Sequence, residues 1–143
     1  MSSNAIPTSR KMRISGDPAD MGAVRSQVID FSNAIGFNAA DAAHIALAVD
    51  ESLANVIKHS YGGTCGEPID IALSDGGQSG RAGIRITVRD YGKKVDPSVI
   101  RGRELEDVRP GGLGVHIMRS VMDSVDYREA DGAGMILTMT KLV

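Results

Sequence analysis

The periodicities of this sequence predict an α+β fold: a two-layer sandwich with helices on one face of a mostly antiparallel, mixed sheet. Three observations carry the prediction. Two long segments before residue 62 repeat apolar residues at helical spacing. The segments from 67 to 75 and from 81 to 92 switch to alternation. The order is strand, two helices, two strands, loop, helix, two strands, and such runs mark an α+β architecture.

The first strand is read in "KMRISG", residues 11–16. Asp17 followed by Pro18 then makes an N-cap with proline at the first helical position. Met21, Val24, Val28, Phe31 and Ile35 recur at helical spacing, and Gly36 ends the helix. Asn38 caps a second helix, rich in alanine and leucine, that runs to the Gly62–Gly63 stop. Ile69, Ile71 and Leu73 share one face of the next strand, and "GQSG" is a hairpin-like loop. In the strand after it Ile84, Ile86 and Val88 point in, while Arg85, Thr87 and Arg89 point out. Residues 93–112 are rich in glycine, proline and charge, a long loop of the kind that carries function. A helix over 113–124 and two strands around an Asp131–Gly134 turn close the chain. Residues 1–10 read as a flexible lead and 11–143 as one domain.

Bulk properties exclude several classes. The chain has 143 residues, 42% hydrophobic and 24% charged, with a formal net charge of -2. That balance steers the molecule toward neither nucleic acid nor an anionic membrane. Two phenylalanines, three tyrosines and no tryptophan argue against base-stacking platforms of the usual aromatic kind. Cys65 is alone, so no intramolecular disulfide forms. No apolar run approaches a membrane span of roughly 20 residues. The reading is a cytoplasmic protein with no signal core.

Three clusters stand out. Within "AVDESLANVIKHS", Glu51, Asn55 and His59 are four residues apart and share one helical stripe, opposite Val49, Leu53 and Ile57. On spacing alone this equally fits a solvated helix face. In "RITVRDYG" a strand ends in Asp90, with Gly92 beyond. A carboxylate there can accept a hydrogen bond from an exocyclic amine, although Asp and Gly are also ordinary turn residues. In "RPGGLGVHIMRS", Gly111, Gly112 and Gly114 precede a helix, whose free N–H groups suit phosphate. This is neither the dinucleotide fingerprint nor the lysine-bearing phosphate loop.

Together the clusters are far more specific than any one of them. "DESLANVIKHSYGG" resembles the N box of the histidine-kinase-like ATPase superfamily, "DYGKKVD" its Asp-x-Gly box, and "GGLGVHIMRSVMD" its second glycine box. The small size resembles the anti-sigma factor serine/threonine kinases within that superfamily, and the likeness runs from about residue 11 to the end. It implies binding of ATP or ADP with Mg²⁺. Asn55 would be the magnesium ligand and Glu51 the general base that deprotonates an incoming serine hydroxyl. Asp90 would receive the adenine amino group, with Gly92 letting the base sit close. Gly112, Leu113 and Gly114 would wrap the phosphates, with 93–112 as a lid. His59 reads as a structural or rim residue, and His44 and His116 as ordinary helix residues. The implied partners are an anti-anti-sigma protein, phosphorylated on serine or threonine, and a sigma factor; homodimerisation is implied by resemblance only.

Two departures matter. Lys94 stands where the family has the second glycine of Asp-x-Gly-x-Gly, and Met135 stands where a threonine often lies near adenine. Both favour an alternative reading, a non-catalytic nucleotide- or partner-binding module on the same fold. A third reading is a subfamily member that phosphorylates a stressosome-like scaffold. No segment suits the phosphorylated histidine of a complete histidine kinase.

Overall fold

A computed structural model describes residues 9–63, 66–93 and 114–143, with 114–116 described by backbone alone. Five strands form one sheet: β1 Ser9–Ile14, β2 Ile69–Asp75, β3 Gly83–Arg89, β4 Ser124–Glu129 and β5 Met135–Leu142. The spatial order is β1-β2-β3-β5-β4. Each neighbouring pair is antiparallel, including β3 with β5, whose register sets Val88 opposite Leu137. The chain therefore leaves β3, enters β4 at the far edge and returns by a hairpin to lie beside β3. β1 begins at Ser9, two residues before the strand read from sequence, because Ser9 and Arg10 still pair with Ser74 and Leu73.

The helices are α1 Pro18–Ile35, α2 Ala39–Asn55 and α3 Gly114–Val121. Their ends follow the capping residues. The Asp17 side chain accepts the Ala19 N–H at 3.3 Å, and Asn38 Oδ1 accepts the Asp41 N–H at 2.8 Å. At the end of α1, Gly36 takes φ +125°, and the Phe37 N–H reaches back to the Ser32 carbonyl at 3.1 Å. That pairing closes the helix with a left-handed glycine, which a side chain would strain.

Alternation decides which face of the sheet is covered. Ile69, Ile71, Leu73, Ile84, Ile86, Val88, Leu137 and Met139 are all buried. They meet Val24, Val28, Phe31 and Ile35 of α1, Ile45, Val49 and Leu53 of α2, and Met118 of α3 in one core. The opposite face receives the alternate residues, among them Lys11, Arg13, Asp70, Arg85 and Arg89. α2 packs against both α1 and α3.

Two elements differ from the periodicity reading. Directly after Asn55 the chain widens into a π-helical turn, Val56–Ser60, and the Tyr61 N–H bonds the Val56 carbonyl at 3.1 Å, an i to i−5 pairing. The last helix stops at Val121 instead of 124, because the Asp123 N–H is already bonded to the Thr140 carbonyl of β5 at 2.8 Å.

Candidate functional site

Asp50 orients α2 in the sandwich. Its carboxylate pairs with Arg25 of α1 at 2.8 Å, so its side of α2 faces α1. Five residues turn a helix by about 140° beyond one full circle, which sets Asn55 on a flank turned away from α1. Glu51 lies one turn before it, and both are half-buried, neither sunk in the core nor fully solvated. Val49 and Leu53 are buried on the other side, as the sequence pattern requires. His59 does not continue the stripe. The π turn breaks the four-residue phase after Asn55, and His59 is exposed.

The same π turn carries the chain toward the end of β3. There Asp90 is 3% exposed, one of three buried polar or charged residues among those described. Its carboxylate is held by three donors. The Gly92 N–H at 3.0 Å and the Met135 N–H at 3.3 Å donate to Oδ1, and the Ser60 hydroxyl donates to Oδ2 at 3.1 Å. The Asp90 N–H in turn donates to the Met135 carbonyl at 3.0 Å, which extends the β3–β5 pairing by one residue. Glu51, Asn55 and Asp90 are thus linked through one continuous stretch of chain, Asn55 to Ser60, and one side-chain bond.

Gly92 has a reason that the sequence did not disclose. A Cβ there would stand 2.5 Å from the Ser60 carbonyl oxygen, so glycine is required for the loop to close on the π turn. Gly134 is confined in the same way, against the Asp90 carbonyl. Met135, flagged as a departure, is buried and contributes its backbone to Asp90.

Beside Asp90, Tyr91 links the end of β3 to the open face of the sheet. Its N–H donates to the Tyr61 hydroxyl at 2.8 Å, and that hydroxyl donates to the Pro68 carbonyl at 2.5 Å. Burial raises the Tyr61 phenol above its usual range, which keeps it a donor. The Tyr91 hydroxyl donates to Asp70, whose carboxylate also takes two bonds from Arg13 at 2.7 and 2.8 Å. The Arg89 guanidinium lies over the Tyr91 ring at 4.6 Å. Arg13 and Tyr91 together hold the Asp70 carboxyl down at about 2, against partial burial. Ser60, Tyr61 and Tyr91 escaped the sequence reading; the signal available was their position inside the N box and the Asp-x-Gly box.

Gly114 is the first residue of α3, as a helix-start glycine should be. Gly112, Leu113 and Lys94 lie outside the described residues, as does the proposed lid apart from Lys93, which is exposed. Among the described residues no cluster of three or more His, Cys, Asp or Glu could hold a metal ion. A cation held by the described residues would rest on few protein ligands. An amide oxygen such as that of Asn55 is a hard donor of the kind magnesium accepts alongside phosphate and water. Among the same residues no helix is long and apolar enough to cross a membrane.

The family model for the histidine kinase-like ATPase domain matches residues 14–141. The chain belongs to that family. The match spans every element from the end of β1 through most of β5, including Glu51, Asn55, Ser60, Asp90 and Gly92. Among curated relatives, the serine-protein kinase RsbW of Halalkalibacterium halodurans is 28% identical over 96% of this chain and 85% of its own. The serine/threonine-protein kinase BtrW of Bordetella bronchiseptica is 33% identical over 62% of each chain. RsbW of Bacillus pumilus is 24% identical over 93% of this chain and 85% of its own. A solved structure of the RsbU and RsbW domains of a Mycobacterium tuberculosis protein superimposes with a TM-score of 0.62, at 17% identity, over 95% of this chain and 32% of that longer one. The structural match supports the α+β fold. The relatives put the chain with the serine/threonine protein kinases built on it.

Proposed function

We propose that this chain is an ATP- and Mg²⁺-dependent serine/threonine kinase of the anti-sigma type. It phosphorylates a small anti-anti-sigma protein in the cytoplasm and alternates between that partner and a sigma factor. The observation that carries the reading is the pairing of Glu51 and Asn55, one turn apart and half-buried on one flank of α2, with Asp90 tied to the end of the same helix. A structural helix face would need no buried carboxylate joined to it. The kinases among the relatives supply the reaction class.

In this reading the Asn55 amide oxygen would hold magnesium, which would supply positive charge against the nucleotide phosphates. Glu51, one turn away, takes the proton from the serine or threonine hydroxyl as its oxygen attacks the terminal phosphate and ADP departs. Asp90 receives the adenine amine. By the family resemblance, Gly112, Leu113 and Gly114 would wrap the phosphates.

The test is transfer of labelled terminal phosphate from ATP, with Mg²⁺, to an anti-anti-sigma domain protein from the same genome, with the site mapped by mass spectrometry. The proposal expects one phosphoserine or phosphothreonine, absent with Glu51→Ala. Nucleotide binding without transfer to any such protein would favour the non-catalytic module, which the apolar Met135 beside Asp90 also suits.

A further inference from the structure

We infer that Ser60 is the residue that sets adenine selectivity, by fixing Asp90 with a single acceptor position left for the base. The inference rests on the nucleotide reading above and adds to it a residue to which that reading gives no part. It follows from counting hydrogen bonds. A carboxylate offers about four acceptor positions, two on each oxygen. Oδ1 of Asp90 accepts the N–H groups of Gly92 and Met135, which fills it. Oδ2 accepts the Ser60 hydroxyl, which leaves it one. Asp90 is 3% exposed, so solvent does not compete freely for that position.

An acceptor-only position on a buried carboxylate demands a donor from the ligand. The amine of adenine supplies one. The carbonyl that hypoxanthine and guanine carry at the same ring position is itself an acceptor and would be set against the carboxylate. The selectivity therefore depends on where Oδ2 points. Oδ1 is fixed by backbone, and the Ser60 hydroxyl is the side-chain bond that fixes Oδ2.

The fold invests in holding Ser60 there. It is the last residue of the π turn, and the widened turn carries it and Tyr61 to the end of β3. Tyr61 accepts the Tyr91 N–H at 2.8 Å and donates to the Pro68 carbonyl at 2.5 Å. The Ser60 carbonyl sits against Gly92 so closely that no side chain fits between them. Residues 60–61 and 90–92 are thus clamped at three points: hydroxyl to carboxylate, phenol to amide, and backbone to backbone. Ser60 is a positioning residue, acting on the base through Asp90.

The experiment is calorimetric titration of the full chain with ADP and with IDP, in Mg²⁺, for the wild type, Ser60→Ala and Ser60→Thr. The wild type should prefer ADP. Ser60→Ala should narrow the ADP-to-IDP preference by roughly tenfold, the size of one net hydrogen bond to a charged group, while Ser60→Thr restores it. A purely structural role would weaken both nucleotides alike and leave the ratio unchanged; that result overturns the inference even though ADP still binds. A wild type that binds neither nucleotide, or both equally, overturns the nucleotide or adenine reading itself. Ser60→Thr supplies the ratio should Ser60→Ala fold poorly: a threonine variant that loses the preference while binding both nucleotides contradicts the account.

Discussion

The Ser60 carbonyl oxygen and Gly92 approach so closely that a Cβ on Gly92 would stand 2.5 Å from it. Two motifs distant in sequence, the N box and the Asp-x-Gly box, therefore meet through backbone. The oxygen cannot swing aside as a side-chain end could. Gly92→Ala should cost about 1–3 kcal/mol, the usual range for an overpacked site, and should weaken nucleotide binding through Asp90. Urea unfolding of the two proteins checks the first and titration the second. An alanine variant as stable as the wild type would show that the contact yields.

Asn55 is half-buried on a helix flank, outside the apolar core. Asn55→Ala is expected to change stability by no more than about 0.5 kcal/mol and to remove the magnesium-dependent part of nucleotide affinity. Titrations with Mg²⁺ and with EDTA separate the two parts. An unchanged magnesium dependence would contradict the ligand assignment.

Glu51→Ala should retain nucleotide affinity and lose phosphoryl transfer by about 10²–10⁴-fold, the range for a general base. Single-turnover transfer to the partner, measured beside binding, checks it. Transfer at the wild-type rate would place the base elsewhere.

Asp70 gives the chain an acid-sensitive contact. Its carboxyl lies at about 2 in the folded protein, chiefly through the Arg13 hydrogen bonds, against an ordinary value of 3.8. Between these values the folded state binds fewer protons than the unfolded one, so stability falls as pH falls. The contribution is complete above the ordinary value and gone below the folded one. Arg13 is 63% exposed and Asp70 33%, so solvent screening keeps it small. Asp70→Asn should flatten the stability profile between pH about 4 and about 2, as denaturant melts across that window would report. An equal slope in both proteins would assign the acid sensitivity to other carboxylates.

Much of this was legible because the sequence carries local signals for it. Asp17, Gly36 and Asn38 act at the helix ends where capping chemistry puts them. Ile84, Ile86 and Val88 alternate inward as their pattern requires. Glu51, Asn55 and Asp90 stand out in the sequence as motif residues, and Asp90 is bonded to Ser60 at the end of the turn that follows Asn55. The π turn was not legible. Nothing in "VIKHS" marks it, since it is secured by Tyr61 reaching Tyr91 and Pro68, contacts that exist only once the sheet has formed. The displacement of His59 from the stripe follows from it. The Ser60–Asp90 bond joins residues thirty positions apart, and the end of α3 is decided by Thr140 on a different strand. Tertiary partners settled each of these, and periodicity does not see them.

The most direct test of the central claim, a nucleotide pocket between Asn55 and Asp90, is calorimetric titration of the purified chain with ADP and ATP, with and without Mg²⁺. The account predicts binding that strengthens with Mg²⁺ and loses that gain in Asn55→Ala. No heat from either nucleotide at millimolar concentration would contradict it, and would leave the chain as a partner-binding module on an ATPase scaffold.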